Sequence, residues 1–197
     1  MLKTYTTLTS SKLLPGTGFA QPAHVLPESV GLEDPAVSVM TDLELASAVL
    51  IRPDDNIEEA NRRMIQRGVR LLLVVDEFRT VAGLITANDI LGEKPLQVIT
   101  ERGGRRRDIV VRDIMTPQDR LEVLDMRDVR HARVGHIVAT LKEAGRQHAL
   151  VVDAGTGGRQ RVRGLFSVTQ IARQLGVSLQ TSEVAHTFSE IEAQLTH

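Results

Sequence analysis

The stretch GLITANDIL, residues 83–91, sets a hydroxyl and a carboxylate three positions apart, Thr86 and Asp89. Gly83, Leu84 and Ile85 read as the end of a strand, and the pair stands where a helix would begin. Two chemistries fit that spacing. Thr86 can cap the helix by accepting from backbone N–H groups of its first turn, with Asp89 reaching back. The same two groups, at the mouth of a strand-to-helix turn, can grip a sugar. An ionised carboxylate is acceptor-only, and vicinal sugar hydroxyls are paired donors. A neighbouring helix N-terminus adds N–H groups and a dipole that favour phosphate.

The elements that position this pair occur twice. VMTD (39–42), IRPDDNIEEANRRMIQRG (51–68), VRLLLVVD (69–76) and VAGLITANDI (81–90) are answered by IMTP (114–117), VRHARVGHIVATLKEAG (129–145), RQHALVVD (146–153) and VRGLFSVTQI (162–171). Met40-Thr41 answers Met115-Thr116, Gly68 answers Gly145, Asp76 answers Asp153, Gly83 answers Gly164, and Thr86 answers Ser167, at offsets of 75 to 81. This is a tandem duplication. In the first copy Ile57, Ala60, Met64 and Ile65 fall at helical spacing between an Asp55/Glu58 start and a Gly68 stop. In the second, Ile137, Leu141 and Ala144 take that face, stopped by Gly145. LLLVV (71–75) and HALVV (148–152) read as strands, each followed by a turn, another strand and a second helix. Strands as apolar as LLLVV need cover on both faces, so the halves are expected to pack on each other.

The expected fold class is therefore α+β (mixed α/β), two tandem β-α-β-β-α repeats packed with pseudo-two-fold symmetry. The expected segments are a lead-in over 1–36, extended or partly disordered; a first repeat over 37–95; a basic linker over 96–110; a second repeat over 111–176; and a C-terminal helix over 177–197. The lead-in holds four of the seven prolines. In the tail, Val184, Phe188, Ile191 and Leu195 form a helical stripe behind Ser182 as N-cap, and the stripe must bury against this chain or a second one.

Composition narrows the function. The 197 residues are 42% hydrophobic and 25% charged with a net charge of −1, ordinary for a globular protein. Absence of cysteine excludes disulfides, thiolate metal sites and thiol catalysis. No stretch approaches the roughly 18 apolar residues of a membrane span, and no signal peptide is read, so the expected location is cytoplasmic. Aromatic residues are 3% of the chain, a poor supply of stacking platforms for single-stranded nucleic acid.

The paired units, each with an M-T lead, a helix ending in Gly, a strand ending V-V-D and a closing G-x-x-[ST]-x-x-D, resemble a tandem cystathionine-β-synthase (CBS) domain pair, a Bateman module, over about residues 37–176. The resemblance implies a stand-alone regulatory module, not an enzyme, that takes an adenosine-containing ligand between its halves: AMP, ADP, ATP or S-adenosylmethionine. No cofactor is required; the adenine nucleotide is a regulatory ligand. It implies that Asp89 accepts from ribose hydroxyls while Thr86 bonds ribose or phosphate. In the second copy Ser167 matches, but Gln170 stands where Asp is expected. A charge-assisted hydrogen bond contributes about 1.5–3 kcal/mol against about 1 for a neutral one, so the second site is expected to bind about ten-fold more weakly. By the same resemblance Arg70 and His148, just before the middle strands, approach phosphate, and Met40, Thr41 and Ile51 of the first lead and Met115 of the second flank the ligand.

The expected partners are an adenosine-containing small molecule, a second copy in a homodimer, and a regulated protein that the sequence does not identify; no membrane partner is expected. A ligand-free dimerisation or scaffold module is the alternative, supported by Gln170. Nucleic-acid binding through ERGGRRRD (101–108) is disfavoured, because residues 101–135 hold nine Arg against seven Asp and Glu. These arginines are expected to form a solvated linker; a third reading sets them over the cleft to meet a polyphosphate. His131 and His136 miss the i, i+4 spacing of a helical metal pair, and GTGGR (155–159) lacks the Lys and helix of a phosphate loop. No nucleophile, base and orienting group can be placed together, so no catalytic residue is named.

Overall fold

The computed structural model describes residues 26–177 together with Leu14, Phe188 and Ile191. In chain order the elements are β1 (Thr41–Asp42), β2 (Leu50–Ile51), α1 (Ile57–Arg67), β3 (Leu71–Val75), β4 (Val81–Thr86), α2 (Ala87–Leu91), α3 (Lys94–Arg102), α4 (Val111–Ile114), β5 (Thr116–Pro117), β6 (Val123–Asp125), α5 (Met126–Val129), α6 (Val134–Glu143), β7 (His148–Ala154), β8 (Gln160–Ser167) and α7 (Val168–Gln174). The mixed α+β class and the repeated strand-helix-strand-strand-helix order match the expectation from sequence.

The strands form two four-stranded sheets, ordered β2-β3-β4-β5 and β6-β7-β8-β1. Within each, the first pair is parallel and the rest antiparallel. The short lead strands are exchanged. β1, from the first copy, pairs with β8, setting Thr41 against Leu165 and Asp42 against Gly164. β5, from the second, pairs with β4, setting Thr116 against Leu84 and Pro117 against Gly83.

That exchange explains the repeated Met-Thr and Gly. A Cβ on Gly83 would lie 2.4 Å from the Thr116 carbonyl oxygen and 3.2 Å from Met115 Sδ. A Cβ on Gly164 would lie 2.8 Å from Met40 Sδ and 2.9 Å from the Thr41 carbonyl oxygen. Each glycine lets the other copy's lead come close enough to pair. Arg163 fixes the second exchange by pairing with buried Asp42 and, at 2.9 Å, with Glu44.

Alternation along β3 sorts its side chains between two cores. Leu72 and Val74 join Ile57, Ala60, Met64, Ile85 and Ile90 under the helices. Leu71 and Leu73 face the other sheet, where Leu150 meets them with Leu50, Leu84 and Leu165 packed around. Val151 and Phe166 turn to a third core under α6 and α7. The halves thus cover one another as LLLVV requires.

Helix α1 starts one residue later than expected: Asn56 is the N-cap, accepting from Glu58 N–H at 2.7 Å. Asp55 instead pairs with Arg63. Gly68 ends the helix in the left-handed region, φ 62°, a conformation that glycine adopts without steric cost. The end of the lead-in differs from a free extended segment. Val30 and Leu32 pack on the third core and Ala36 is fully buried in it, while Gln174, also buried, donates to the carbonyls of Pro27 at 2.8 Å and Ser38 at 3.2 Å. From the tail, Phe188 and Ile191 are helical and buried in this same core, so that part of the stripe is covered by its own chain. Ser182, Val184 and Leu195 lie outside the described residues.

Candidate functional site: two clefts between the sheets

Thr86 and Asp89 form the capping box in full. Asp89 N–H donates to Thr86 Oγ1 at 3.3 Å, while Asp89 Oδ2 accepts from Thr86 N–H and Thr86 Oγ1, each at 2.7 Å. Lys94 Nζ lies 2.6 Å from Asp89 Oδ1. Three of the carboxylate's roughly four acceptor directions are occupied, leaving one on Oδ1.

The pair borders a cleft of about 290 Å³ lined also by Asn88, Thr116, Arg120, Glu122, Arg146, Gln147 and His148. The first copy's closing motif therefore faces the second copy's lead and the residues before β7. The pseudo-symmetric cleft, about 190 Å³, joins Ser167, Thr169, Gln170 and Arg173 of the second copy to Thr41, Val49 and Arg70 of the first. Both volumes lie at or below the lower end of the roughly 300–1,000 Å³ usual for small-ligand sites.

The candidate residues are thus regrouped. Arg70, of the first copy, lines the cleft of Ser167 and Gln170 from the second, and Thr41 joins it there. Arg70 Nη2 also donates to Asn88 Oδ1 at 3.2 Å, and Asn88 Nδ2 to Gln147 Oε1 at 3.2 Å, so a polar chain runs from one cleft to the other. His148 borders both. Burial pushes its imidazole down from 6.5 to about 4; the Arg70 guanidinium acts in the same direction, and Asp89 opposes.

Three residues expected to flank the ligand lie away from both clefts. Met40 is buried over Gly164 in the core under α6 and α7. Ile51 points under α1, because its neighbour Leu50 on the same short strand faces the other sheet. Met115 packs against the core that contains Ile51 and lies against Gly83. None of the three lines either cleft.

In the second copy the motif is open. Ser167 makes no side-chain cap bond. Gln170 Nε2 donates to Gln174 Oε1 at 3.0 Å, drawing the amide toward the buried glutamine that stitches down the lead-in. Sequence reasoning passed over Arg173, Thr169, Arg120 and Arg146. Thr169 and Arg173 stand two and six residues past Ser167, a spacing that signals one helix face only once the start of α7 is known.

The basic linker is largely exposed, as expected, but is tied to its own chain. Arg102 pairs with Asp113 at 2.8 Å, Arg106 with Glu58 at 2.8 Å, and Arg112 with Asp54. Arg106 Nη2 also donates to the Ile90 carbonyl at 2.8 Å. These contacts favour a linker held to its own domain over a nucleic-acid surface, and neither cleft is lined by residues 101–108. Among the described residues, no helix is long and apolar enough to cross a membrane.

The CBS domain family matches residues 37–95. No curated protein matches the chain significantly in sequence. An uncharacterized conserved protein from Pyrococcus horikoshii is 22% identical with a TM-score of 0.54, the match covering 78% of this chain and 100% of that one. A putative signal-transduction protein with CBS domains from Burkholderia ambifaria is 23% identical with a TM-score of 0.50, covering 70% and 89%. The CBS domain pair of protein MJ0100, solved with 5′-methylthioadenosine and S-adenosyl-L-methionine, is 19% identical with a TM-score of 0.50, covering 74% and 98%. Residues 37–95 thus belong to the CBS-domain family, and the chain has the fold of a tandem CBS-domain pair.

Proposed function

We propose that this chain is a regulatory module that binds an adenosine-containing ligand in its interdomain clefts and signals through a partner protein or its own oligomer. The observation that carries the reading is the composition of the Thr86–Asp89 cleft. A carboxylate with one acceptor direction open stands across from Thr116, Arg120 and Arg146 of the other half. A nucleoside held there touches both copies, so binding favours one relative placement of the halves over others. Differential affinity between two placements is all that a sensor requires, and no chemical step is invoked. The ligands of the MJ0100 pair, both adenosine compounds, support the same class here.

The test is thermal unfolding against millimolar AMP, ADP, ATP, S-adenosylmethionine and GTP. Binding to the native state stabilises it by about 2.7 kcal/mol at a hundred-fold excess over Kd. A raised midpoint with an adenosine compound and none with GTP is expected. Asp89→Asn, read against its own ligand-free midpoint, should lose most of the shift contributed by its cleft. No shift with any adenosine compound would favour a ligand-free scaffold.

A further inference from the structure

The two clefts share a plan but not a charge. The Ser167 cleft contains two guanidinium groups, Arg70 and Arg173, and no carboxylate among its described lining residues. Among the described residues, Arg70's side chain donates to a neutral amide alone, at Asn88, and Arg173 makes no ion pair. The hydroxyls of Ser167 and Thr169 are not engaged in capping α7. Hydroxyl and guanidinium donors therefore converge on one space without an anion to satisfy them.

The Thr86 cleft is balanced. Asp89 and Glu122 offset Arg120 and Arg146. Arg146 Nη2 is already 2.9 Å from Glu122 Oε2, and Thr86 is committed to Asp89. Adding a phosphate there means breaking an ion pair or setting it near two carboxylates. What the cleft offers freely is an acceptor for neutral hydroxyl donors.

Resting on the sensor reading above, we infer that the clefts divide adenosine compounds by charge: the Arg70–Arg173 cleft takes a phosphorylated one and the Thr86–Asp89 cleft one without phosphate. This reverses the ranking that Gln170 suggests. Loss of the carboxylate at that position weakens a sugar contact but removes the group that would repel a phosphate. Charge-assisted contacts outweigh neutral ones by enough to decide the outcome.

The experiment is calorimetric titration of the full chain with AMP and, separately, with adenosine, for the native protein, Arg173→Gln and Asp89→Asn. Arg173 is exposed, so its substitution spares the fold. Arg173→Gln is expected to lower AMP affinity roughly ten- to hundred-fold and to shift the ratio of AMP to adenosine affinity by nearly the same factor. Asp89→Asn should weaken adenosine more than AMP. AMP binding should also fall with added salt, and adenosine binding should not. Equal loss of both ligands in Arg173→Gln, or AMP binding indifferent to it, overturns the division while leaving the sensor reading in place. Failure of both AMP and adenosine to bind the native protein overturns both.

Discussion

Asp89 closes a helix cap and still presents an acceptor to a cleft. Its carboxylate closes the capping box with Thr86 and pairs with Lys94, which fixes the orientation of the one acceptor direction left open. The type and spacing of Thr86 and Asp89 made the cap legible in the sequence, because capping is local. Lys94 was not, since its ammonium is positioned by the turn after α2 and by the Ile114 carbonyl, 3.0 Å away. His148 is a titratable group at this site that burial shifts. Its pKa is lower in the folded chain, about 4, than the 6.5 of the unfolded one, so the unfolded state binds more protons between those values. Stability is therefore lost as pH falls from about 6.5 to about 4, with no further loss from this group below that. The interval sets a ceiling of about 3 kcal/mol. Urea unfolding across that range should show the decline in the native protein and a flatter profile in His148→Gln; equal slopes in the two would refute the assignment.

At the scale of elements, the exchange of β1 and β5 is what puts each closing motif opposite the other copy's lead. The duplication revealed that Met-Thr and Gly recur, but not that each Met-Thr pairs with the other copy's Gly. A two-residue strand carries no periodicity, and its partner is chosen by tertiary packing. The sequence therefore does not say which closing motif Arg70 faces, nor that Met40 and Ile51 turn into the cores. The glycines test the exchange. Gly83→Ala sets a Cβ against the Thr116 backbone and is expected to cost about 1–3 kcal/mol, as overpacking does. Gly31→Ala, whose nearest neighbour would be Asp34 Oδ2 at 3.9 Å, is expected to cost much less. Chemical unfolding of the two variants measures this, and equal costs would contradict close approach of β5 to β4.

Across the whole molecule, two sheets bury Leu71, Leu73 and Leu150 between them and leave a cleft at each side of that shared core. Apolarity on both faces of LLLVV made this two-sided cover predictable. The fastening of residues 26–39 by Gln174 was not, because a lone glutamine within an amphipathic helix reads as solvated until its surroundings are known. Hydrogen bonds from Arg70 to Asn88 and from Asn88 to Gln147 join the two clefts, and His148 borders both. Binding of adenosine compounds in these clefts is best followed by amide chemical-shift mapping of the ¹⁵N-labelled chain during an AMP titration. Saturable shifts are expected at Arg70, Ser167, Thr169, Gln170 and Arg173, with smaller ones at Thr86, Asn88 and Asp89. Saturable shifts confined to residues outside both clefts, or none at millimolar AMP and adenosine, would contradict it.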